Sequence, residues 1–248
     1  MEVEDILKNK FQNIKLEQAF YSIPEVFSQK LADSFLAGVP FAYLLGWSEF
    51  YGHRFYVNHS VLIPRSETEY LVDIIVQSKM GPNKILDVGV GSGVILLSLL
   101  KANVALEGVG VDLSLDALEV TKINAGRLRL KPKLIQSDRL KNVTETFDLI
   151  VSNPPYIKSH QHRSLVHSQV DQFEPKMALY IEDEEYNNWF REFFKEVYEH
   201  LNPNGVFYME GHELELNSQK IVLEQLGFKE VQVIKDFSDR ERFLKATV

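Results

Sequence analysis

Cysteine is missing from all 248 residues. That excludes a disulfide framework and any thiolate metal site, and it fits a reducing compartment. Apolar runs of spanning length are missing too. The opening "MEVEDILKNKFQ" is acidic and amphipathic and lacks the basic and apolar regions of a secretory leader, so a soluble cytoplasmic protein with no membrane contact is expected. Positive charge is in deficit: 27 Lys and Arg stand against 35 Asp and Glu, a net charge of -8. That argues against the broad basic face of a nucleic-acid binder. No carboxylates alternate around a glycine as a calcium loop requires, and "EDEE" at 182 to 185 reads as a solvated loop or helix start. Internal repeats and low-complexity tracts are absent.

What is present suits one large α/β domain with a small companion, since 45% of residues are hydrophobic. Residues 1–46 carry helical apolar spacing at Val3, Ile6, Leu7, Phe27, Leu31, Phe35 and Leu36. Pro24 interrupts it, and Gly38 with Pro40 ends it. Residues 47–80 read as a β-hairpin split at Gly52 plus a linker. Over 81–248 short apolar strands alternate with helices: "KILDV", a helix near 94–101, "LEGVGVD", a helix near 115–125, "KLIQ", "FDLIVS", a helix near 189–201, "GVFYMEG", a helix near 218–226, "EVQVI" and "RFLKAT". Such alternation predicts a mostly parallel sheet with helices on both faces, whose ligands bind beyond the carboxyl ends of the strands.

Four features fall at those ends. "LDVGVGSG" places Gly89, Val90, Gly91, Ser92 and Gly93 between a strand and a helix, where glycines permit sharp turning and close approach to a ligand. The spacing is not the dinucleotide fingerprint, and a glycine turn that binds nothing is the plain alternative. Asp112 closes the next strand and can accept from both hydroxyls of a ribose, whether of NAD or of S-adenosylmethionine; alternatively it caps the helix beginning near Ser114. Asp138 in "QSDRL" can accept from an adenine amine or form an Asx-turn.

The fourth feature is Asn153, Pro154, Pro155 and Tyr156, at the end of "FDLIVS". An amide or arylamine nitrogen gives its lone pair to the adjacent π-system and is a poor nucleophile. If the Asn153 side-chain oxygen and the Pro154 carbonyl each accept one N–H, the lone pair can be aimed at a sulfonium methyl. Pro155 stiffens the loop, and Tyr156 covers the substrate π-plane or the sulfonium. Proton loss can follow transfer, so no strong base is required.

In order along the chain, "AGVPFAYLLGWSEFYG", "VLIPRSETEYLV", "ILDVGVGSGVI", "VDLSLDAL", "FDLIVSNPPYI", "FEPKMAL", "MEGHELELNSQ" and "DFSDRER" resemble the HemK/PrmC family, glutamine N5-methyltransferases of peptide chain release factors. The resemblance implies the Rossmann-like, seven-stranded, mostly parallel sheet of class I S-adenosylmethionine-dependent methyltransferases, with 1–46 as a substrate-recognition region. It implies S-adenosyl-L-methionine over residues 89 to 93, Asp112 on the ribose, Asp138 and Arg139 beside the adenine, and Asn153 to Tyr156 around the glutamine amide, with Asn153 touching the cofactor as well. Arg65 and Glu67 in "IPRSETE" would orient the substrate loop or simply pair with each other. The partner implied is a release factor presenting its Gly-Gly-Gln loop to a monomeric enzyme. Departures include a shorter N-terminal region, Ser66 for a frequent proline, Arg139 for a common aromatic, and "YIEDEEYNNW" for a glycine-rich turn.

Two other classes stay open: an adenine N6-methyltransferase on DNA or RNA, and a binding module without catalysis. His160, His162 and His167 read as a loop that closes over substrate rather than a zinc set. Trp189, Phe190, Phe193, Phe194 and Val197 repeat at helical spacing and read as core. Glu210 and Gly211 end a strand near the site, with satisfaction of neighbouring backbone donors as the plain alternative for Glu210.

Overall fold

The computed structural model describes residues 33–248, so the helical spacing at Val3 to Leu31 lies outside the described residues. A short helix, α1 (Phe41–Leu45), follows Pro40 and stops at Gly46 in the left-handed region. The expected hairpin follows, with β1 (Trp47–Phe50) antiparallel to β2 (His53–Tyr56). Tyr51 and Gly52, at φ 47° and 73°, form the two-residue turn whose twist matches paired strands.

The stretch read as linker contains a helix, α2 (Ser66–Gln77). Thr68, Leu71, Val72 and Ile75 recur at i, i+3, i+4 and i+7 and are buried, while Glu67 and Glu69 sit at its positive end. From Lys84 the alternation appears as expected. The elements are β3 (Lys84–Val88), α3 (Val94–Lys101), β4 (Glu107–Asp112), α4 (Leu115–Leu128), β5 (Lys133–Gln136) and β6 (Phe147–Ser152). They continue with β7 (Ile157–Lys158), α5 (Ser168–Phe173), β8 (Tyr180–Ile181), α6 (Tyr186–His200), β9 (Leu201–Glu210), α7 (Leu216–Gln225), β10 (Lys229–Lys235) and β11 (Glu241–Thr247).

Seven strands form one sheet in the order β10-β11-β9-β6-β3-β4-β5. All pairings from β5 to β9 are parallel, and β11 alone runs against its neighbours. Successive strand residues point to opposite faces. Leu86, Val88, Ile150 and Phe207 join Phe190, Phe193 and Phe194 of α6 in one core. Ile85, Leu149, Val151 and Tyr208 join Leu71 and Ile75 of α2 and Leu96 and Leu97 of α3 in the other. The chain runs from β3 outward to β5, then returns to β6 on the other side of β3. That reversal opens a crevice beyond the carboxyl ends of β3 and β6.

Candidate active site

The glycine loop leaves β3 with Gly89, Gly91 and Gly93 at φ 75°, 55° and 82°, a conformation that L side chains resist. A Cβ on Gly89 would enter open space, whereas one on Gly93 would lie 2.9 Å from Leu97 Cδ1 and Thr121 Cγ2. The loop therefore presents bare backbone outward and packs tightly behind. Its shape is fixed from α4: Thr121 Oγ1 donates to the Gly91 carbonyl at 2.7 Å, and Asn124 Nδ2 donates to the Ser92 carbonyl at 2.8 Å. Asn124 also exchanges hydrogen bonds with the Tyr56 backbone, at 2.6 and 3.0 Å, tying the hairpin to the same loop.

Asp112 accepts from the Gly91 N–H and the Ser114 N–H, each at 2.9 Å. The cap of α4 is Ser114, whose Oγ accepts from the Ala117 N–H at 3.2 Å. Asp112 thus braces the glycine loop rather than capping the helix, and burial raises its carboxyl above the ordinary range. Each of its oxygens retains a second lone pair for a ligand hydroxyl.

A cavity of about 370 Å³ lies over this loop. Gly89 to Ser92, Asp112, Asp138, Arg139 and Asn153 to Pro155 all line it. It is elongated in chemistry: acids stand at one end, glycine backbone at the middle, and the Asn-Pro-Pro loop at the other. That set fits an adenosyl group with its ribose toward Asp112. Trp189 lines the wall as well, half-buried, and this corrects the reading of it as pure core. The Arg139 guanidinium lies 5.6 Å from the Trp189 ring centroid and pairs with Glu196 at 3.1 Å. The aromatic surface that position 139 lacks is therefore supplied from α6.

A second cavity, about 420 Å³, opens on the other side of the loop, bounded by Tyr156, His162, His212 and Arg242. Asn153 and Arg65 line both cavities. Tyr156 lines only the second, so its ring faces the side away from the glycine loop. Its hydroxyl donates to Glu210 Oε1 at 3.1 Å, and burial with the nearby carboxylate pushes its ionisation well above the ordinary range. The loop is anchored at both ends, by Ser152 Oγ to the Val88 carbonyl at 2.7 Å and by Tyr186 OH to the Tyr156 carbonyl at 3.1 Å.

Arg65 and Glu67 do not pair. Arg65 Nη2 meets Glu174 Oε1 at 2.6 Å, and the other Glu174 oxygen accepts from the Ile63 N–H at 3.0 Å. Glu174 is buried, so this pair clamps the segment before α2 onto the segment after α5. Glu67 lines neither cavity and accepts from Ser66 Oγ at 3.1 Å. The histidines also separate. His160 is exposed and His167 caps α5, but His162 is buried with its ring stacked on His212 at 4.4 Å. His162 is a wall of the second cavity rather than part of a free loop. Glu210 is buried and accepts from the Thr68 hydroxyl at 2.7 Å as well as from Tyr156. Of the residues that hold these groups in place, Thr68 lies unmarked inside "IPRSETE", and Thr121 and Asn124 stand in no motif of the sequence.

Residues 66–176 match the family model of the methyltransferase small domain. The chain is 36% identical to the release factor glutamine methyltransferase of Haemophilus influenzae over 227 residues, covering 86% of this chain and 77% of that protein. It is 34% identical to the release factor glutamine methyltransferase of Rhodopirellula baltica over 249 residues, 94% of this chain and 83% of that one. A solved methyltransferase from Pyrococcus furiosus superposes with a TM-score of 0.58 at 20% identity, covering 78% of this chain and 87% of that chain, which supports the fold.

Proposed function

The chain belongs to the release factor glutamine methyltransferase family, and from that premise we propose how its own residues set a glutamine amide against S-adenosyl-L-methionine. The enzyme methylates the side-chain amide nitrogen (N5) of a protein glutamine, and the proposed substrate is the Gly-Gly-Gln glutamine of a peptide chain release factor. Bound in the first cavity, S-adenosyl-L-methionine supplies an electrophilic methyl on its sulfonium. Gly89 to Gly93 face it with backbone, Asp112 accepts from its ribose hydroxyls, and Asp138, Arg139 and Trp189 flank its adenine.

The single observation that carries the reading is the position of Asn153, which lines both cavities. A glutamine side chain entering through the second cavity meets the Asn153 oxygen and the Pro154 carbonyl. Two acceptors hold both N–H bonds in one plane and leave the nitrogen lone pair directed at the first cavity. Because Pro154 and Pro155 hold the loop in shape, the acceptors need little rearrangement as positive charge develops on nitrogen. Tyr156 covers the amide face from the second cavity and excludes water. The Arg65–Glu174 clamp holds the cavity wall along which the substrate loop runs. The net charge of -8 favours an encounter with a protein rather than a nucleic acid, and the lack of cysteine is consistent with the cytoplasmic setting proposed here.

A labelled-methyl assay tests this, with release factor and nucleic acid offered in separate reactions. Label is expected in the glutamine of the release factor, and Asn153→Ala should lose it by roughly 100-fold or more in kcat. Label in nucleic acid alone would overturn the assignment.

A further inference from the structure

An asparagine side chain is nearly symmetric in shape, and only its partners decide whether oxygen or nitrogen faces a cavity. For Asn153 the choice is decisive, because an amino group there would oppose the substrate N–H bonds instead of accepting them. Its Nδ2 lies 3.3 Å from Thr68 Oγ1, which in turn lies 2.7 Å from Glu210 Oε2. Thr68 and Glu210 are 2% and 1% exposed, so water does not compete at either. A carboxylate has no hydrogen to give, and Thr68 has one. Thr68 must donate it to Glu210, so toward Asn153 it can only accept. Asn153 must then turn its amino group to Thr68 and its oxygen away.

We propose that Glu210 and Thr68 are positioning residues that fix the hydrogen-bond polarity of Asn153, so that its Oδ1 is the atom offered to the substrate amide. This rests on the reading of Asn153 as an acceptor of the substrate N–H. The relay is assembled from three separate elements: the loop after β6, the first turn of α2 and the end of β9. Tyr156 is bound to the same carboxylate from the other side, so one buried acid orients both polar residues of the Asn-Pro-Pro-Tyr loop.

The polarity depends on the charge of Glu210. Thr68 and Glu67 face it from α2, Tyr156 from the loop after β6 and Arg242 from β11. Burial raises its carboxyl above the ordinary range, while Thr68, Arg242 and Tyr156 oppose the rise. Once protonated, Glu210 can give its hydrogen to Thr68. Thr68 then donates to Asn153, and the amide turns its oxygen inward. Turnover is lost without any change in the cofactor cavity.

The test compares Glu210→Gln, Thr68→Val and Thr68→Ser with the parent enzyme and with Asn153→Ala, on intact release factor. Gln at 210 offers one oxygen and one amino group where the carboxylate offered two acceptors, so Thr68 and Tyr156 can no longer both donate to it and the direction of the relay is no longer fixed. Glu210→Gln and Thr68→Val should each lower kcat by roughly 10- to 100-fold with the KM for S-adenosyl-L-methionine within about twofold. Thr68→Ser, which keeps the hydroxyl, should restore most of kcat. The acid limb of the parent kcat profile should vanish in Glu210→Gln. Should Glu210→Gln fail to fold, the Val and Ser pair at 68 decides alone: equal loss in both, or in neither, overturns the relay. Full activity in Asn153→Ala would reject the underlying reading. An inactive Asn153→Ala with parental kcat in Glu210→Gln and Thr68→Val would reject the relay only.

Discussion

Asp87 sits in the middle of the sheet, inside "ILDVG", with 1% exposure. One carboxyl oxygen accepts from the Leu96 N–H at 3.1 Å in the first turn of α3, and the other has no partner among the described residues. Burial is the main cause that pushes its ionisation from 3.8 up to about 7, with the Leu96 bond opposing and the charge of Asp112 adding to the rise. The sign follows from proton counting. Between the two values the folded chain holds a proton that the unfolded chain has released, so this residue makes stability fall as pH rises from about 4 to about 7, and level off above. Asp87→Asn removes the titration. Its stability relative to the parent should therefore improve between pH 4 and pH 8, by on the order of 4 kcal/mol at most, as read from urea unfolding at both pH values. A constant difference between the two proteins would reject the assignment. The placement of Asp112 and Asn153 at strand ends lining the first cavity was legible because motif and position coincide. Glu210 was legible as the end of a strand near the site, but Thr68 and the contact between the two were not. Each is ordinary in its own segment, and they meet only because α2 and β9 converge 142 residues apart. The one available signal for Thr68 was its spacing with Leu71, Val72 and Ile75, which puts it on the buried face of α2.

At the scale of elements, close packing between β4, α3 and the glycine loop is the feature most exposed to small changes. A Cβ on Gly110 would lie 2.9 Å from Val90 Cγ2 and 3.1 Å from Leu96 Cδ2 and Leu134 Cδ2. Gly110→Ala should cost about 1–3 kcal/mol and, because Val90 belongs to the glycine loop, should also weaken S-adenosylhomocysteine binding in calorimetry. Gly126, inside α4, is the contrast. A Cβ there meets nothing, so Gly126→Ala should add about 0.5–1 kcal/mol of stability and leave binding unchanged. Denaturant unfolding of the pair, with opposite signs expected, separates crowding from helix propensity. The strands of the sheet were legible to within a few residues because apolar runs bounded by glycine and polar residues leave little choice. Helix α2 was not, since its Ile74, Ile75 and Val76 are β-branched and suit a strand as well as a helix. β7 and β8 are two residues each and exist only through their mutual pairing, which no local pattern records.

Across the whole molecule, the two cavities share a wall at Asn153, yet only the first is built on the glycine loop and Asp112. Under the proposed assignment, binding of the cofactor product and holding of the substrate amide are therefore separable, and thermal unfolding can separate them. A ligand at 100 times its dissociation constant stabilises the folded state by about 2.7 kcal/mol. For a chain of this size that corresponds to roughly 5–10 °C in Tm. S-adenosylhomocysteine should produce such a rise in the parent enzyme. Asn153→Ala should keep most of it, because the glycine loop, its braces from Thr121 and Asn124, and Asp112 are untouched. Asp112→Ala should lose most of it, since the mutation removes the proposed ribose acceptor and the bond that holds Gly91 in place. Each shift is measured against the same variant without ligand, which removes any change in intrinsic stability from the comparison. Complete loss of the shift in Asn153→Ala, or its full retention in Asp112→Ala, would contradict this division of labour between the two cavities.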